Sequence, residues 1–431
     1  MKAKDLVGRP CSGFNAQGLI PRCCEVTPVR ILVSALSCNS SLGSEALVGY
    51  KIVEALAREH EVTLLASSPA QAPAGVRLVS CEAGPCSFNE VGVAPLSRFE
   101  ILQMRLARAL HLKNRFDYIH RVTPSAIQLP TLARLLRIPY IVGPLIAADP
   151  PPSGFRPFLG RPVTPPKRPR YHPNRIVEGV CRRLVDKLGN SRWHLRKAAR
   201  IIVGTDIALR QVPESLREKC VSITYAGVEH ERFVPPERRS SGPGARLLFV
   251  GRFVPYKGIE LLLRALAIAS KRCQVRLDFV GSGDPVYARY CAELSDGLGL
   301  NEVVRYRPNV PREELPRMYQ EADIFCFPTL CDTYGIALLE AMSAGCAVIA
   351  SDTGGAGEIM APGTGVKVPL INPGQFIHQY SEAIMKLAGD EGLRAQLGAA
   401  ARRHIILNHD WQKIGLQLLG FYSSLPATRK Q

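Results

Sequence analysis

The chain has 431 residues, of which 46% are hydrophobic and 21% charged, and a formal net charge of +18. That composition excludes extended disorder, and the length exceeds one ordinary core, so two domains are expected. No apolar run reaches the roughly 18–20 residues that span a bilayer. The opening "MKAKDLVGRPCSGFNAQG" holds no continuous apolar stretch of the export kind, so a cytoplasmic location is expected.

Residues 1–28 read as a loose tail, in which Cys11, Cys23 and Cys24 have no assignable role. The thirteen cysteines of the chain are scattered, with no paired C-x-x-C spacing beside histidines; reduced thiols are expected rather than a zinc site. "VRILVSALS" (29–37) is a β-branched run, "CNSSLGSE" a small polar loop, and "ALVGYKIVEALAREH" a helical pattern. "EVTLLAS" (61–67), "FDYIHRV" (116–122), "IPYIVGP" (138–144) and "ARIIVGT" (199–205) repeat the strand signal, with helix-length patterns between several of them. Alternation of this kind predicts a parallel sheet covered on both faces.

"KRPRYHPNRIVEGVCRRLVDKLGNSRWHLRKAAR" (167–200) carries eleven Lys or Arg against Glu178 and Asp186. A solvated basic face and an anionic membrane surface both accommodate it. Nucleic acid is not expected, because no recognised module or aromatic platform accompanies the charge. "VPPERRSSGPGA" (234–245) reads as the domain linker. A second strand series follows in "RLLFVGR" (246–252), "VRLDFVGSG" (275–283), "EVVRYRP" (302–308), "ADIFCFPT" (322–329) and "CAVIAS" (346–351); "DWQKIGLQLLGFYSSL" (410–425) is a final helical pattern. The whole predicts two doubly wound, Rossmann-like α/β domains facing across a cleft.

In "FVGRFVPYKGIELLLRALA" a strand ends at Gly251, Arg252 and Lys257 follow, and Gly258 precedes a helix. Helix N-terminal amides and two cations suit a diphosphate, although both are also ordinary surface residues on spacing alone. "CDTYGIALLE" places Gly335 and Ile336 at a helix start, where their amides would face phosphate, with Asp332 as a second acid or a plain helix cap. Glu340 sits among Leu338, Leu339, Ala341 and Met342, and a buried carboxylate needs a partner. Backbone amides, an arginine or sugar hydroxyls would all serve. Gly281 and Gly283 in "FVGSGD" allow close approach of a ligand. Gly43 and Glu45 in "SLGSE" would meet hydroxyl donors or form a tight turn. His120 is a catalytic-side candidate or a structural histidine. No D-x-D pair, P-loop or G-x-S-x-G elbow occurs, which disfavours a diphosphate-bound metal, phosphoryl transfer and serine hydrolysis.

Taken together, "VGRFVPYKGIELLLRAL", "FVGSGD", "PREELPRMYQEADIFCFPTLCDTYGIALLEAMSAGCAVIASDTGGAGEIM" and "YAGVEHERF" resemble the family 4 (group 1) glycosyltransferases, retaining enzymes of the GT-B fold. The resemblance covers roughly residues 29–420 and is strongest in the second half; "ILVSALSCNSSLGSEALVGY", "YIHRVTPS" and "IPYIVGPL" extend it into the first. It implies an acceptor-binding domain over 29–235, with the helix at 408–431 packed back on it, and a donor-binding domain over 245–407. It further implies that Arg252 and Lys257 bind the donor diphosphate and that Glu340 takes the ribose. Asp332 would stand beside the donor sugar, with the amides of Gly335 and Ile336 at phosphates and sugar and Gly281 and Gly283 near the nucleoside. Gly43, Glu45 and His120 fall on the acceptor side. Two departures stand out: Asp332 replaces the usual Glu, and Gly143, Pro144 and Leu145 stand where many members place a sugar-contacting histidine.

The implied activity is transfer of a hexose-type sugar from a nucleotide diphosphate donor to a glycan or lipid-linked acceptor. Configuration would be retained, with no metal or cofactor required, at a peripheral position on the inner membrane face. A GT-B epimerase or phosphorylase is the rival in the same fold. A non-catalytic membrane- or nucleic-acid-binding protein is the rival outside it.

Overall fold

The computed structural model describes residues 28–81, 93–161, 187, 192–237 and 244–426. The tail with Cys11, Cys23 and Cys24, most of the basic run (167–186 and 188–191) and the middle of the linker (238–243) lie outside the described residues.

Two parallel sheets form the molecule. The first is built from β1 (Arg30–Ala35), β2 (Glu61–Ala66), β3 (Arg77–Ser80), β4 (Tyr118–Thr123), β5 (Tyr140–Leu145), β6 (Arg200–Val203) and β7 (Cys220–Ser222), in the order β3-β2-β1-β4-β5-β6-β7. The second has β8 (Ala245–Val250), β9 (Val275–Val280), β10 (Val304–Arg307), β11 (Ile324–Phe327), β12 (Ala347–Ser351) and β13 (Val366–Val368), in the order β10-β9-β8-β11-β12-β13. Every pairing in both is parallel. The winding direction reverses between β1 and β4 and again between β8 and β11, which leaves a crevice at the carboxyl ends of those strands. The doubly wound α/β architecture expected from the alternation is therefore present in both halves. Strands β3, β7 and β13 were not predicted; each is a short edge strand with largely exposed or half-exposed residues, so it lacks the apolar run that marks an interior strand.

The pleat sorts side chains to opposite faces. Ile31, Val33 and Ala35 of β1 enter one apolar cluster with Val48 and Ile52 of the helix Glu45–Leu56, while Leu32 enters another with Phe99 of the helix Val93–Asn114. The first of these clusters continues without a break into the second domain through Tyr225, Phe233, Tyr334 and Leu338.

Each domain also holds a piece of chain from the other half of the sequence. The helix Trp411–Ser423 lies on the first domain, where Trp411, Ile414, Leu418 and Tyr422 join the cluster of Val48 and Ile52. Gly415 allows the close approach, since a Cβ there would stand 3.3 Å from that of Ala55. Tyr118 donates its hydroxyl to the Pro426 carbonyl at 2.7 Å. In the opposite direction, the turn Ser153–Phe155 and the short helix Arg156–Leu159 leave the first domain and dock on the second. Phe155 is buried edge-on against Phe376, and Arg161 grips Glu260 through Nε at 2.5 Å and Nη2 at 2.8 Å. Glu358 of the second domain accepts from the amides of Asp206 and Ile207 at 2.8 and 2.9 Å, capping a first-domain helix.

No described helix is long and apolar enough to cross a membrane. Eight cysteines among the described residues are free thiols, five of them buried.

The seating of the last helix is testable by chemical denaturation. Leu418 is 1% exposed and Leu416 is 51% exposed. Leu418→Ala is expected to cost about 2–5 kcal/mol of stability, and Leu416→Ala under about 0.5 kcal/mol. Equal effects would place the helix elsewhere.

Candidate active site

The carboxyl ends of β8, β9, β11 and β12 carry the polar loops of the second domain. Beyond β8 the chain passes Gly251 and Arg252 into a single turn, Pro255–Lys257, and then through Gly258 into the helix Ile259–Ala269. Gly258 stands at φ 70°, and a Cβ there would lie 2.0 Å from the Pro328 carbonyl oxygen. Only glycine lets this loop rest on the end of β11. The glycines after β9 serve the same end. Cβ atoms on Gly281 and Gly283 would strike the Gly251 carbonyl at 2.2 Å and the Phe253 backbone at 2.5 Å. These two glycines let the loop after β9 pack against the Arg252 loop.

Lys257 Nζ donates to Asp332 Oδ2, and Arg252 Nη2 donates to the Tyr256 hydroxyl. Both cations also stand near the Tyr256 ring, Arg252 Cζ and Lys257 Nζ each 5.7 Å from its centroid. Arg252, Tyr256, Lys257 and Asp332 thus converge on one half-buried spot. Asp332 is not a helix cap: the helix Ile336–Ser343 begins at Gly335 with no side-chain cap bond, so its first amides are left without a capping side chain. Tyr334 anchors the turn between them, donating to the Ala226 carbonyl at 3.2 Å.

Glu340 lies one turn into that helix, roughly 6 Å along its axis from Ile336 at about 1.5 Å per residue. It is 5% exposed. Its Oε2 accepts from the Tyr319 hydroxyl at 2.9 Å, and its Oε1 faces Arg312 Nη2 at 3.6 Å. Burial raises the carboxyl above its ordinary range, and Arg312, then Tyr319 and Arg232, oppose that shift. Of the partners open to it on sequence, an arginine is the one present. Glu340 does not touch Arg252 or Lys257; the shared helix relates the two groups.

On the first domain the candidates divide. Gly43 is exposed and faces the second domain, a Cβ on it lying 3.6 Å from Arg312 Nη1. Glu45 is buried, with Oε1 accepting from the Ser125 amide and Oε2 without a hydrogen-bond partner among the described residues. Burial raises its carboxyl, opposed by the Ser125 bonds and Arg121. His120 is a correction. It is 0% exposed, and its Nε2 donates to the Gly143 carbonyl at 2.8 Å, which leaves Nδ1 to accept from the Tyr422 hydroxyl at 2.9 Å. Burial lowers its pKa to about 4, and its two hydrogen bonds make it a core residue that fastens the last helix.

Sequence reasoning missed three charged residues. Arg312, in the turn Arg312–Glu314, reaches both Glu340 and the Leu42 carbonyl, the latter at 3.3 Å. Arg121 is fully buried, donates to the Pro124 carbonyl and stands 3.6 Å from Glu100, beneath Glu45. Its signal was a charged residue inside the strand "YIHRVT". Glu100 in turn accepts from Thr131 and the Leu132 amide.

Residues 233–404 match the family described as Glycosyl transferases group 1, and residues 46–225 match Glycosyl transferase 4-like domain. The D-inositol 3-phosphate glycosyltransferase of Corynebacterium urealyticum is 30% identical over 244 residues, covering 52% of this chain and 57% of that protein. The protein of that name from Kribbella flavida is 32% identical over 199 residues, 43% of this chain and 46% of its own length. The chain thus spans about half the length of the curated relatives it matches. Among solved structures, sucrose-phosphate synthase of Thermosynechococcus elongatus superposes with a TM-score of 0.67 at 20% identity, covering 91% of this chain and 98% of that one. HepE of Anabaena, in complex with UDP, gives 0.64 at 17% identity, covering 92% and 100%. These structural likenesses establish a shared fold across both domains. With matched sequences in both halves on that two-domain frame, the chain belongs to the group 1 glycosyltransferases of the GT-B fold.

Proposed function

We propose that the protein transfers a hexose-type sugar from a nucleotide diphosphate donor to a hydroxyl of a glycan or lipid-linked acceptor, with retained anomeric configuration and without a metal ion. The observation that carries this reading is the convergence of Arg252, Lys257 and Asp332 at the β8–β11 switch point, with the buried carboxyl of Glu340 on the helix that follows Asp332 in the chain. Support comes from HepE, whose structures hold UDP and UDP-glucose on the same fold.

In this reading the diphosphate lies over the uncapped N-terminus of the helix Ile336–Ser343, between Arg252 and Lys257. Lys257 exchanges part of its ion pair with Asp332 for phosphate oxygen. The ribose hydroxyls donate to Glu340. As the bond from the anomeric carbon to the diphosphate breaks, negative charge grows on the leaving oxygen, where the two cations and the helix amides stabilise it. Positive charge grows on the sugar ring beside Asp332. The acceptor oxygen bonds to the anomeric carbon from the same face, and its proton passes to the leaving diphosphate. The cations supply the charge that a divalent ion supplies elsewhere, so EDTA is expected to leave the rate unchanged. The net charge of +18 fits an anionic acceptor or a peripheral place on an acidic membrane.

A thermal-shift screen of nucleoside diphosphates should show stabilisation by the true donor base, following mass action. Lys257→Ala is expected to lower kcat by about 10²–10³, the magnitude of losing one donor to a developing oxyanion. Glu340→Ala should weaken UDP binding about 10–100-fold, as for hydrogen bonds to a charged group. Full activity in both variants overturns the assignment. NMR of the product's anomeric proton reports retention directly.

A further inference from the structure

We propose that Arg312 is a positioning residue that holds Glu340 ready for the donor ribose and couples donor binding to the first-domain loop at Leu42–Gly43. The inference rests on the nucleotide-donor reading above and adds to it a residue that contacts both domains.

The geometry is that of a fork with its two arms in different domains. Arg312 Nη2 faces Glu340 Oε1 at 3.6 Å, and Nη1 donates to the Leu42 carbonyl at 3.3 Å. The first distance is within ion-pair range and beyond hydrogen-bond range. Arg312 therefore lends Glu340 a fixed positive charge without using the lone pairs of Oε1. The other oxygen is already engaged by Tyr319. A ribose hydroxyl approaching Glu340 finds an oriented acceptor on the Oε1 side, beside the Arg312 guanidinium.

Arg312 and Tyr319 come from one short stretch, the turn Arg312–Glu314 and the helix Leu315–Glu321, so both partners of Glu340 are carried by one segment. The loop on the other side is tightly set. Gly43 lies in ordinary contact range of the guanidinium, a Cβ on it standing 3.6 Å from Nη1, and Ser44 beside it stands at φ 59°, a region non-glycine residues avoid. A ligand that shifts the Glu340–Arg312 pair must shift the contact with Leu42, and the loop leads directly into the helix Glu45–Leu56 of the acceptor domain. Coupling between two sites is reciprocal, so a change at the loop returns to the donor.

The charged and titratable groups facing Glu340 are Arg312, Tyr319 and Arg232. Removing Arg312 leaves a buried carboxyl, already raised by burial, without its strongest lowering neighbour, so its protonation moves toward neutral pH. The ionised form accepts ribose hydroxyls; donor affinity must then fall as pH falls.

The test is UDP binding by calorimetry at pH 6 and pH 8 with the full chain, alongside hydrogen exchange of residues 42–45. Wild type is expected to bind equally at both values and to slow exchange in the loop on adding UDP. Arg312→Leu should bind about tenfold more weakly at pH 6 than at pH 8, because protonation of Glu340 then competes with the ribose at the lower pH, with no loop protection. A UDP analogue lacking both ribose hydroxyls should show no pH response in either protein. Arg312→Lys retains the charge but not the fork, so it should restore the flat pH profile and leave the loop unprotected. Loss of binding in Arg312→Leu that is equal at both pH values, or loop protection that survives the substitution, overturns the inference while the donor reading stands. A folded wild type that binds no nucleoside diphosphate overturns both.

Discussion

A negative charge inside the protein governs the arrangement of the second domain. Moving a carboxylate out of water costs several kcal/mol unless its oxygens find donors and an opposite charge. Glu340 cannot be satisfied by its own helix, whose neighbours Leu338, Leu339, Ala341 and Met342 are all buried and apolar. Its partners must come from elsewhere, and they do: Tyr319 from the preceding helix and Arg312 from the turn before that. Because Arg312 extends on to the Leu42 carbonyl, a partner of this buried acid also touches the first domain.

Close contact between backbones shapes the cationic end of the site. The loops that follow β8, β9, β11 and β12 meet at the strand ends of the second sheet, and they fit only because particular residues lack a side chain. Gly258 rests on Pro328, and Gly281 rests on Gly251. With the backbones in contact, Arg252 and Lys257 are held on a short rigid turn and not on a long mobile loop. Lys257 and Asp332 pair with each other, so neither charge is left uncompensated in a half-buried place.

How far this was legible depends on where each signal lies in the chain. Interior strands such as Ile324–Phe327 are continuous apolar runs and identify themselves, and the acid embedded in an apolar helix stands out; the cation pair is legible as a pair but reads equally as surface on spacing alone. The edge strands Arg77–Ser80 and Cys220–Ser222 have one neighbour each and little burial, so no pattern marks them. Arg312 was hidden for a different reason. It precedes Glu313 and Glu314 in a polar stretch that reads as surface, and its meaning comes only from a carboxylate and a carbonyl brought to it by the fold. Phe155 sits after "DPPPSG", which reads as a loop, yet it docks in the opposite domain's core. His120 shows the converse: a strand-end histidine looks available until Tyr422, from the far end of the chain, closes over it.

The position of that closing helix has a consequence for synthesis. The first sheet leaves the ribosome complete with β7, at Cys220–Ser222, but the helix that covers Val48 and Ile52 follows only after the whole second domain. For that interval the nascent first domain exposes an apolar face that no residue yet made can cover, the kind of surface that draws chaperones or wrong partners. The packing of the first half can therefore be completed only once the second has been translated.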